Sequence, residues 1–205
     1  MTNSKDLLLA TCNAGKIREF ITLLKNLPLR LRTLDEFPTV SKVIETGRTF
    51  SENAALKAQT CAMQTKLLTL ADDSGLEVDA LGGAPGILSA RYAGVNSSDA
   101  EHIARLLKEL DQANDPERQA RFSCAIAIAD PATGAVGIVT GKCEGRISRT
   151  ARGANGFGYD PIFIPEGYCQ TYGELPEQIK QRTSHRAQAL EAACAFLRVH
   201  FPSSP

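Results

Sequence analysis

Short apolar runs alternate with helix-forming segments in the first third of the chain, and this alternation is typical of an α/β fold. The predicted strands are Asp6–Ala10, Leu29–Thr33 and Leu67–Ala71. Between them, apolar residues recur at helical spacing from Lys16 to Lys25. A T-x-x-E capping pattern, formed by Thr49 and Glu52, predicts a second helix that ends near Thr65.

The rest of the chain adds a helix, a pair of strands and a final helix. The predicted elements are a helix over Ser98–Leu110, strands over Arg121–Ala129 and Ala135–Thr140 joined by a turn, and a helix over Ser184–His200. Residues Ser203 to Pro205 are expected to fray. We therefore predict an α/β fold with a mixed central β-sheet flanked by helices, in which residues 1–205 form one domain with two lobes around a substrate cleft.

Composition narrows the class of protein. The chain is 43% hydrophobic and 22% charged, and its 23 basic residues balance its 23 acidic ones. Proteins that grip long nucleic acids usually have a basic excess, so we expect no nucleic-acid partner. The six cysteines form no CxxC pair, which argues against a zinc finger and favours free thiols in a reducing cytoplasm. No apolar run approaches the roughly 20 residues that span a bilayer, and the N-terminal apolar run is too short for a signal peptide, so we expect no membrane partner.

Asp72 and Asp73 directly follow a predicted buried strand. Ligands in α/β folds collect at the carboxyl ends of strands, and Mg²⁺ binds carboxylate oxygens together with waters and substrate phosphates. The dipeptide also fits an ordinary strand-to-loop boundary, where aspartate is common. On its own, therefore, this pair leaves both a metal site and a structural role open.

The segment Thr11–Lys16 lies between a predicted strand and a predicted helix. Backbone N–H groups at such a helix start can bind phosphate, and Lys16 adds a positive charge. The segment does not match the Walker A pattern. An ordinary turn with a solvated lysine is the alternative.

Two further segments carry side chains suited to a purine. Ser184 is a natural N-cap, but His185 and Arg186 place cations in a first helical turn, which an anion or an electron-rich base edge would compensate. Phe157, Gly158, Tyr159 and Asp160 combine an aromatic ring with small neighbours, which leaves a ring face open for stacking on a base. Each segment also fits a purely structural role.

Taken together, these segments resemble the inosine/xanthosine triphosphate pyrophosphatase family. The resemblance rests on five stretches in the order and spacing of that family: ATCNAGK from Ala10, ETGRTFSENAALK from Glu45, ADDSGLEVDALGGAPGILSARYAG from Ala71, GANGFGYDPIF from Gly153 and SHRAQAL from Ser184. It implies hydrolysis of inosine, deoxyinosine and xanthosine triphosphates to the monophosphate and pyrophosphate, with Mg²⁺ as cofactor. It also implies a homodimer.

The resemblance assigns roles to individual residues. Glu45 and Asp73 would hold Mg²⁺, and Asp73 would accept the proton. The substrate would be bound by Thr11, Cys12, Asn13, Ala14, Gly15, Lys16, Ser74, Phe157, Gly158, Tyr159, Asp160, Lys180, His185 and Arg186. Cys12 stands where the family usually has glycine or serine.

One hypothesis about mechanism and two alternative functions follow from these assignments. Because a carboxylate bound tightly to a metal is a poor base, we expect Asp73 to position a water held by the metal, while Asp72 or Glu77 adjusts the site. One alternative function is a pyrophosphatase for pyrimidine or modified nucleotides. The other is a nucleotide-binding regulatory module without turnover, against which the combination of Lys16, Glu45 and Asp73 argues.

Overall fold

The computed structural model describes residues 5–200, so the predicted fraying of Ser203 to Pro205 lies outside the described residues. The strands are β1 Lys5–Leu9, β2 Leu29–Thr33, β3 Leu68–Val78, β4 Gln119–Ala129, β5 Val136–Ile147 and β6 Phe163–Pro165. The α-helices are α1 Ala14–Leu24, α2 Phe50–Thr65, α3 Asp99–Ala113, α4 Glu177–Thr183 and α5 His185–His200. Short 3₁₀ helices cover Leu34–Glu36, Asp79–Leu81 and Gly86–Arg91.

The strands form one mixed sheet in the order β2-β1-β3-β4-β5-β6. β1 runs parallel to both of its neighbours, with Leu8 opposite Arg32 of β2 and Thr69 of β3. At the other edge, β6 is antiparallel to β5. The predicted mixed sheet of an α/β fold is therefore confirmed, and the chain order strand–helix–strand explains the parallel half, since parallel neighbours need a crossover connection.

Within the described residues, the chain divides into two compact units. The first unit contains residues 5–73, 125–140 and 189–200, and the second contains residues 74–124 and 141–188. The division falls inside β3, between Asp73 and Ser74. Consecutive residues of one strand thus belong to different units.

The first unit has a core of small side chains. Ala54, Ala58 and Ala62 recur every four residues on one face of α2, and all three are buried. They pack in a cluster with Leu8 of β1 and with alanines of β4. Because alanine has the smallest apolar side chain, this face of α2 can pack closely against the sheet.

The second unit has a core of larger side chains. Ile103, Leu106 and Leu110 form the buried face of α3, at the spacing expected for an amphipathic helix. They belong to one cluster with Leu76 and Val78 of β3. Aromatic residues extend this cluster, and the rings of Phe122 and Phe163 lie 4.5 Å apart between their centroids.

Two predictions about local structure are wrong, and one helix was not predicted. β3 does not end at Ala71 but continues through both aspartates to Val78. Glu52 accepts a hydrogen bond from the N–H of Arg48 rather than of Thr49, although Thr49 does cap α2. The helix α4 was not predicted, because seven residues are too few to show a clear apolar period.

None of the helices described between residues 5 and 200 combines the length and apolar character that a bilayer crossing requires.

Candidate active site

The N-terminus of α1 has a well-defined cap. The Asn13 side chain accepts a hydrogen bond from the N–H of Lys16 at 3.0 Å, and the Thr11 hydroxyl accepts one from the N–H of Asn13 at 3.2 Å. Cys12, Asn13 and Ala14 are exposed. The predicted phosphate-binding segment is therefore an ordered, solvent-facing helix start, of the kind that receives anions through its N–H groups and the helix dipole.

Lys16 extends from this helix start to a buried carboxylate. Its Nζ lies 2.9 Å from Asp72 Oδ2, and the Asp72 side chain is 0% exposed. The Lys16 side chain retains 14% of its exposure, so the ammonium still borders solvent. Asp72 thus holds the orientation of the lysine at the mouth of the predicted phosphate site.

Asp73, the next residue of β3, contacts α2. Its Oδ2 accepts a hydrogen bond from Asn53 Nδ2 at 3.1 Å, and its Oδ1 accepts one from Lys57 Nζ at 3.3 Å. Successive side chains of a strand point in opposite directions, which explains why Asp72 and Asp73 meet lysines of different helices. Burial raises the pKa of Asp73 above its ordinary value, although Lys57 and Lys16 both act to lower it.

Lys57 also contacts Glu45, which lies in the loop before α2. Lys57 Nζ donates to Glu45 Oε1 at 2.8 Å. Burial alone would lower the pKa of Lys57, but the carboxylates of Asp72, Asp73 and Glu45 together raise it. The ammonium therefore stays charged at neutral pH and joins two carboxylates that are 28 residues apart in the sequence.

The oxygen atoms of Glu45 and Asp73 are possible ligands of a divalent cation. Within residues 5–200, no group of three or more His, Cys, Asp or Glu side chains could hold a metal ion. Mg²⁺ requires fewer protein ligands, since it is commonly held by one or two carboxylates together with waters and substrate phosphates. Glu45 and Asp73 offer two carboxylates that converge on one cation, the Lys57 ammonium. Their hard oxygen chemistry fits Mg²⁺.

In the second unit, Arg186 at the start of α5 is almost completely buried. Its Nη2 donates to the Ser74 hydroxyl at 2.8 Å, and its guanidinium carbon lies 5.8 Å from the centre of the Phe157 ring. Ser184 caps this helix by accepting from the N–H of Ala187, as its sequence position predicts. Three predicted residues from distant parts of the sequence, Ser74, Phe157 and Arg186, are therefore brought together.

Asp160 contacts both Lys180 and the backbone of Phe157. Its Oδ2 accepts from Lys180 Nζ at 2.5 Å and from the N–H of Phe157 at 2.8 Å. The Lys180 ammonium lies 4.4 Å from the centre of the Phe157 ring, within range of a cation–π contact. Phe157 itself remains half-buried, so its ring is held by charged neighbours while part of it reaches solvent.

Three other residues predicted to bind the substrate contact other residues of the chain. The Tyr159 hydroxyl donates to the carbonyl of Ser89 at 3.0 Å, and burial raises the pKa of this phenol. The N–H of Gly158 donates to Asp99 Oδ2 at 2.6 Å. The His185 ring stacks on Phe122 with 4.7 Å between centroids. Tyr159 and His185 thus anchor residues 157–160 and the start of α5 to buried parts of the chain, and Gly158 joins this segment to the exposed start of α3.

Glu77, the second candidate for adjusting the metal site, lies in the second unit. Its Oε2 accepts a hydrogen bond from the Ser123 hydroxyl at 2.5 Å. Asp72, by contrast, pairs with Lys16 in the same unit as Asp73. Of the two proposed supporting carboxylates, Asp72 is the one that this geometry favours.

Sequence reasoning did not assign a role to Asn53, Lys57 or Asp99. Asn53 and Lys57 are four residues apart on α2, so both lie on one helix face, and this spacing was a usable signal. Asp99 carries no such signal, because its contact with Gly158 joins residues 59 positions apart.

The chain is similar to known proteins of one family. Residues 7–196 match the Ham1 family. The chain is 47% identical over 186 residues to the dITP/XTP pyrophosphatase of Geobacillus kaustophilus, with 91% of each chain covered. It is 45% identical over 185 residues to the Listeria monocytogenes protein of the same name, with 90% of this chain and 91% of that one covered.

Solved structures agree as well. A HAM1 protein from Coxiella burnetii superposes with a TM-score of 0.88 at 45% identity, and covers 95% of this chain and 99% of its own. The Staphylococcus aureus Ham1 protein superposes with a TM-score of 0.85 at 39% identity, with 95% and 99% covered. The chain therefore belongs to the Ham1 family.

Proposed function

We propose that this protein hydrolyses inosine, deoxyinosine and xanthosine triphosphates to the nucleoside monophosphate and pyrophosphate, and so removes deaminated purines from the nucleotide pool. The names of its relatives support the reaction, since proteins 47% identical over 91% of the chain are called dITP/XTP pyrophosphatases. The observation that carries the proposal is the set of two lysines and three carboxylates at α1, α2, β3 and the loop before α2.

The triphosphate is bound by the start of α1 and by the two lysines. The N–H groups and dipole of the helix start favour negative charge, and Thr11 and Asn13 keep the turn in the required shape. Lys16 and Lys57 add two positive charges that are partly exposed. Asp72 orients Lys16, which leaves the ammonium directed by a fixed partner rather than by solvent.

Mg²⁺ is the cofactor of this proposal, and Glu45 and Asp73 would hold it. When bound, Mg²⁺ would offset phosphate charge and make pyrophosphate a better leaving group. Because Lys57 contacts both carboxylates, it balances their charge in the chain without ligand.

Asp73 is the catalytic residue of the proposal. Its carboxylate would position a water held by the metal for attack, a task that typically contributes about 10²–10⁴-fold to the rate. Asn53 and Lys57 each occupy one of its oxygens, so the orientation of the carboxylate is set before substrate binds.

The base is recognised by the Phe157 ring and the cations beside it. Base stacking on an aromatic ring is worth about 1–3 kcal/mol. Arg186 and Lys180 are donors that can meet the 6-keto oxygen shared by hypoxanthine and xanthine, and the 6-amino group of adenine would leave such donors unpaired. Tyr159 and His185 support this pocket through their contacts with the core, and Gly158 does so through its hydrogen bond to Asp99.

The identity of the products tests the proposed reaction. The chain is incubated with inosine triphosphate, and the products are analysed by mass spectrometry. Monophosphate with pyrophosphate is expected, whereas diphosphate with orthophosphate would contradict the proposal. Removal of Mg²⁺ by EDTA should abolish turnover, and added Mg²⁺ should restore it; turnover that survives chelation would contradict the metal requirement.

Parallel assays with deoxyuridine and deoxythymidine triphosphates separate this function from that of a pyrimidine pyrophosphatase. Faster turnover of either pyrimidine than of deoxyinosine triphosphate would favour the alternative. We also propose a homodimer, and a single monomeric species in sedimentation analysis at micromolar concentration would contradict it.

A further inference from the structure

Asn53 is a fully buried amide on α2 that makes two hydrogen bonds of opposite polarity. Its Oδ1 accepts from the N–H of Gly47 at 2.8 Å, and its Nδ2 donates to Asp73 Oδ2 at 3.1 Å. The partners define the orientation of the amide, because a backbone N–H can only donate and a carboxylate can only accept. A carboxylate side chain at this position could not donate, and an apolar one could do neither.

We propose that Asn53 is a positioning residue that holds Asp73 and the loop of Glu45 together in the arrangement that binds the divalent cation. This inference rests on the proposed function, which places Mg²⁺ at Glu45 and Asp73. Asn53 touches neither the substrate nor the cation in this proposal. It acts through the carboxylate of Asp73 and through the backbone of the loop.

The first step of the argument concerns Asp73. With Oδ2 held by Asn53, Oδ1 is directed to the Lys57 ammonium at 3.3 Å. The same ammonium lies 2.8 Å from Glu45 Oε1. Asn53 therefore determines which oxygen of Asp73 shares a cation with Glu45. Residues that orient a metal-binding carboxylate from outside the ligand set commonly change metal affinity by about 10–100-fold when removed.

The second step concerns the loop. Gly47 is two residues after Glu45, and its N–H is fixed by the Asn53 side chain. A Cβ atom built on Gly47 would lie 2.7 Å from Asn53 Oδ1 and 2.7 Å from Glu52 Cβ, closer than real contacts allow. The loop thus approaches α2 so closely that only glycine fits. This approach brings Glu45 within reach of Lys57.

The test uses Mn²⁺ as a spectroscopic probe of the cation site in the full chain. Free Mn²⁺ is measured by electron paramagnetic resonance during titration of the wild type, Asn53→Leu and Asn53→Ser. We expect the dissociation constant for Mn²⁺ to rise about 10–100-fold in Asn53→Leu, and to rise in Asn53→Ser as well, because serine is too short to bridge Gly47 and Asp73. Asn53→Ser retains a hydroxyl and leaves room for water, so it is the variant to use if Asn53→Leu does not fold.

Thr69→Val is the matched control. Thr69 is fully buried on β3, the strand of Asp73, and its hydroxyl donates to the carbonyl of Leu67 at 2.9 Å. Valine has nearly the same shape, so this variant also loses a part-buried hydrogen bond on the strand of Asp73. We expect its Mn²⁺ affinity to stay within about twofold of wild type, since Thr69 has no part in the proposed arrangement.

A second readout follows the loop directly. In the wild type, the Gly47 amide should exchange slowly with solvent in NMR spectra, because Asn53 accepts its hydrogen bond. Asn53→Leu should speed this exchange, whereas Thr69→Val should not.

The outcomes separate the inference from the proposed function. If folded Asn53 variants bind Mn²⁺ as tightly as wild type does, Asn53 is a structural residue only and the inference is overturned. If the wild type itself binds no Mn²⁺ with or without pyrophosphate present, the proposed cation site fails and the inference fails with it. Weakened binding in both Asn53 variants, with Thr69→Val unaffected, supports the inference.

Discussion

The Lys16 ammonium lies 2.9 Å from a carboxylate oxygen of Asp72 whose side chain is completely buried. The two partners differ in their access to water, because the Lys16 side chain keeps 14% of its exposure and Asp72 keeps none. Removing one partner of a buried ion pair costs more when the group left behind cannot reach solvent. The pair should therefore respond asymmetrically to substitution.

We expect Lys16→Met to destabilise the protein more than Asp72→Asn does. Lys16→Met leaves a buried charge whose loss of a partner costs toward the lower end of about 3–5 kcal/mol, since Lys57 also interacts with Asp72. In Asp72→Asn, Lys16 can turn to solvent. Urea unfolding at neutral pH measures the free energy of unfolding of both variants. The double variant should recover part of the loss; if it is as unstable as the sum of the single variants, the two residues are not coupled.

Asp73→Asn should lose about 10²–10⁴-fold in turnover at saturating substrate and Mg²⁺. Asparagine keeps the size of the side chain and a hydrogen-bond acceptor, but it has no negative charge with which to hold Mg²⁺ and position the attacking water. Steady-state kinetics with deoxyinosine triphosphate measure the effect. Near-normal turnover at saturating Mg²⁺ would rule out a catalytic role for Asp73, and Thr69→Val on the same strand is the control for indirect effects.

The same variant should be more stable than wild type at neutral pH. Because burial raises the pKa of Asp73 above its ordinary value of 3.8, the folded chain holds this proton more tightly than the unfolded chain does. The free energy of unfolding of wild type relative to Asp73→Asn should therefore fall as pH rises from 3.8 through the folded pKa, and level off above it. Each kcal/mol that the substitution adds to the free energy of unfolding should raise the melting temperature by about 2–4 °C. A variant less stable than wild type at pH 8 would contradict the shift.

Gly156→Ala should weaken substrate binding. A Cβ on Gly156 would lie 1.9 Å from Asp160 Oδ2, the oxygen that accepts from Lys180 and from Phe157. Displacing this oxygen loses at least one charged hydrogen bond of about 1.5–3 kcal/mol, so we expect KM for deoxyinosine triphosphate to rise about 10-fold or more.

Gly167→Ala is the control for this substitution. Gly156 has a φ of +77° and Gly167 a φ of +81°, so alanine costs about 1–2 kcal/mol of backbone strain at either position. A Cβ on Gly167 meets nothing within 4 Å. Both variants should lose the stability that this strain costs, Gly156→Ala should lose that of the hydrogen bond in addition, and KM should change only in Gly156→Ala. An equal rise of KM in both would attribute the effect to strain.

Cys12 should be alkylated by iodoacetamide in a manner that depends on ligand. Cys12 and Cys169 are exposed, whereas burial raises the pKa of Cys61 and of Cys143 and disfavours their reactive thiolates. Peptide mapping should therefore find Cys12 and Cys169 modified first. Inorganic pyrophosphate should slow the reaction at Cys12, which precedes α1, and leave Cys169 unchanged. Equal rates at Cys12 with and without pyrophosphate would argue against a phosphate site there.

Local patterns along the chain were enough to predict β2 and α2 with their observed bounds. Apolar spacing and a capping residue act over a few positions, so they can be read without knowledge of the fold. The same patterns misjudged β3. Two aspartates ordinarily end a buried strand, but here Lys16 and Lys57 stabilise them inside it. Those lysines lie 56 and 16 positions away in the sequence.

The candidate site also depends partly on residue types that the sequence shows and partly on contacts that only the fold creates. The residue types at Thr11–Lys16, Glu45 and Asp73 indicated phosphate and metal chemistry, and the resemblance assigned them to one substrate. Only the tertiary structure decided that Lys57 joins Glu45 to Asp73, that Asn53 holds Asp73 to the Gly47 loop, and that Tyr159 turns to the core. Charge pairs and hydrogen bonds depend on distances of about 3 Å, and such distances between residues far apart in the chain exist only after the helices have packed on the sheet.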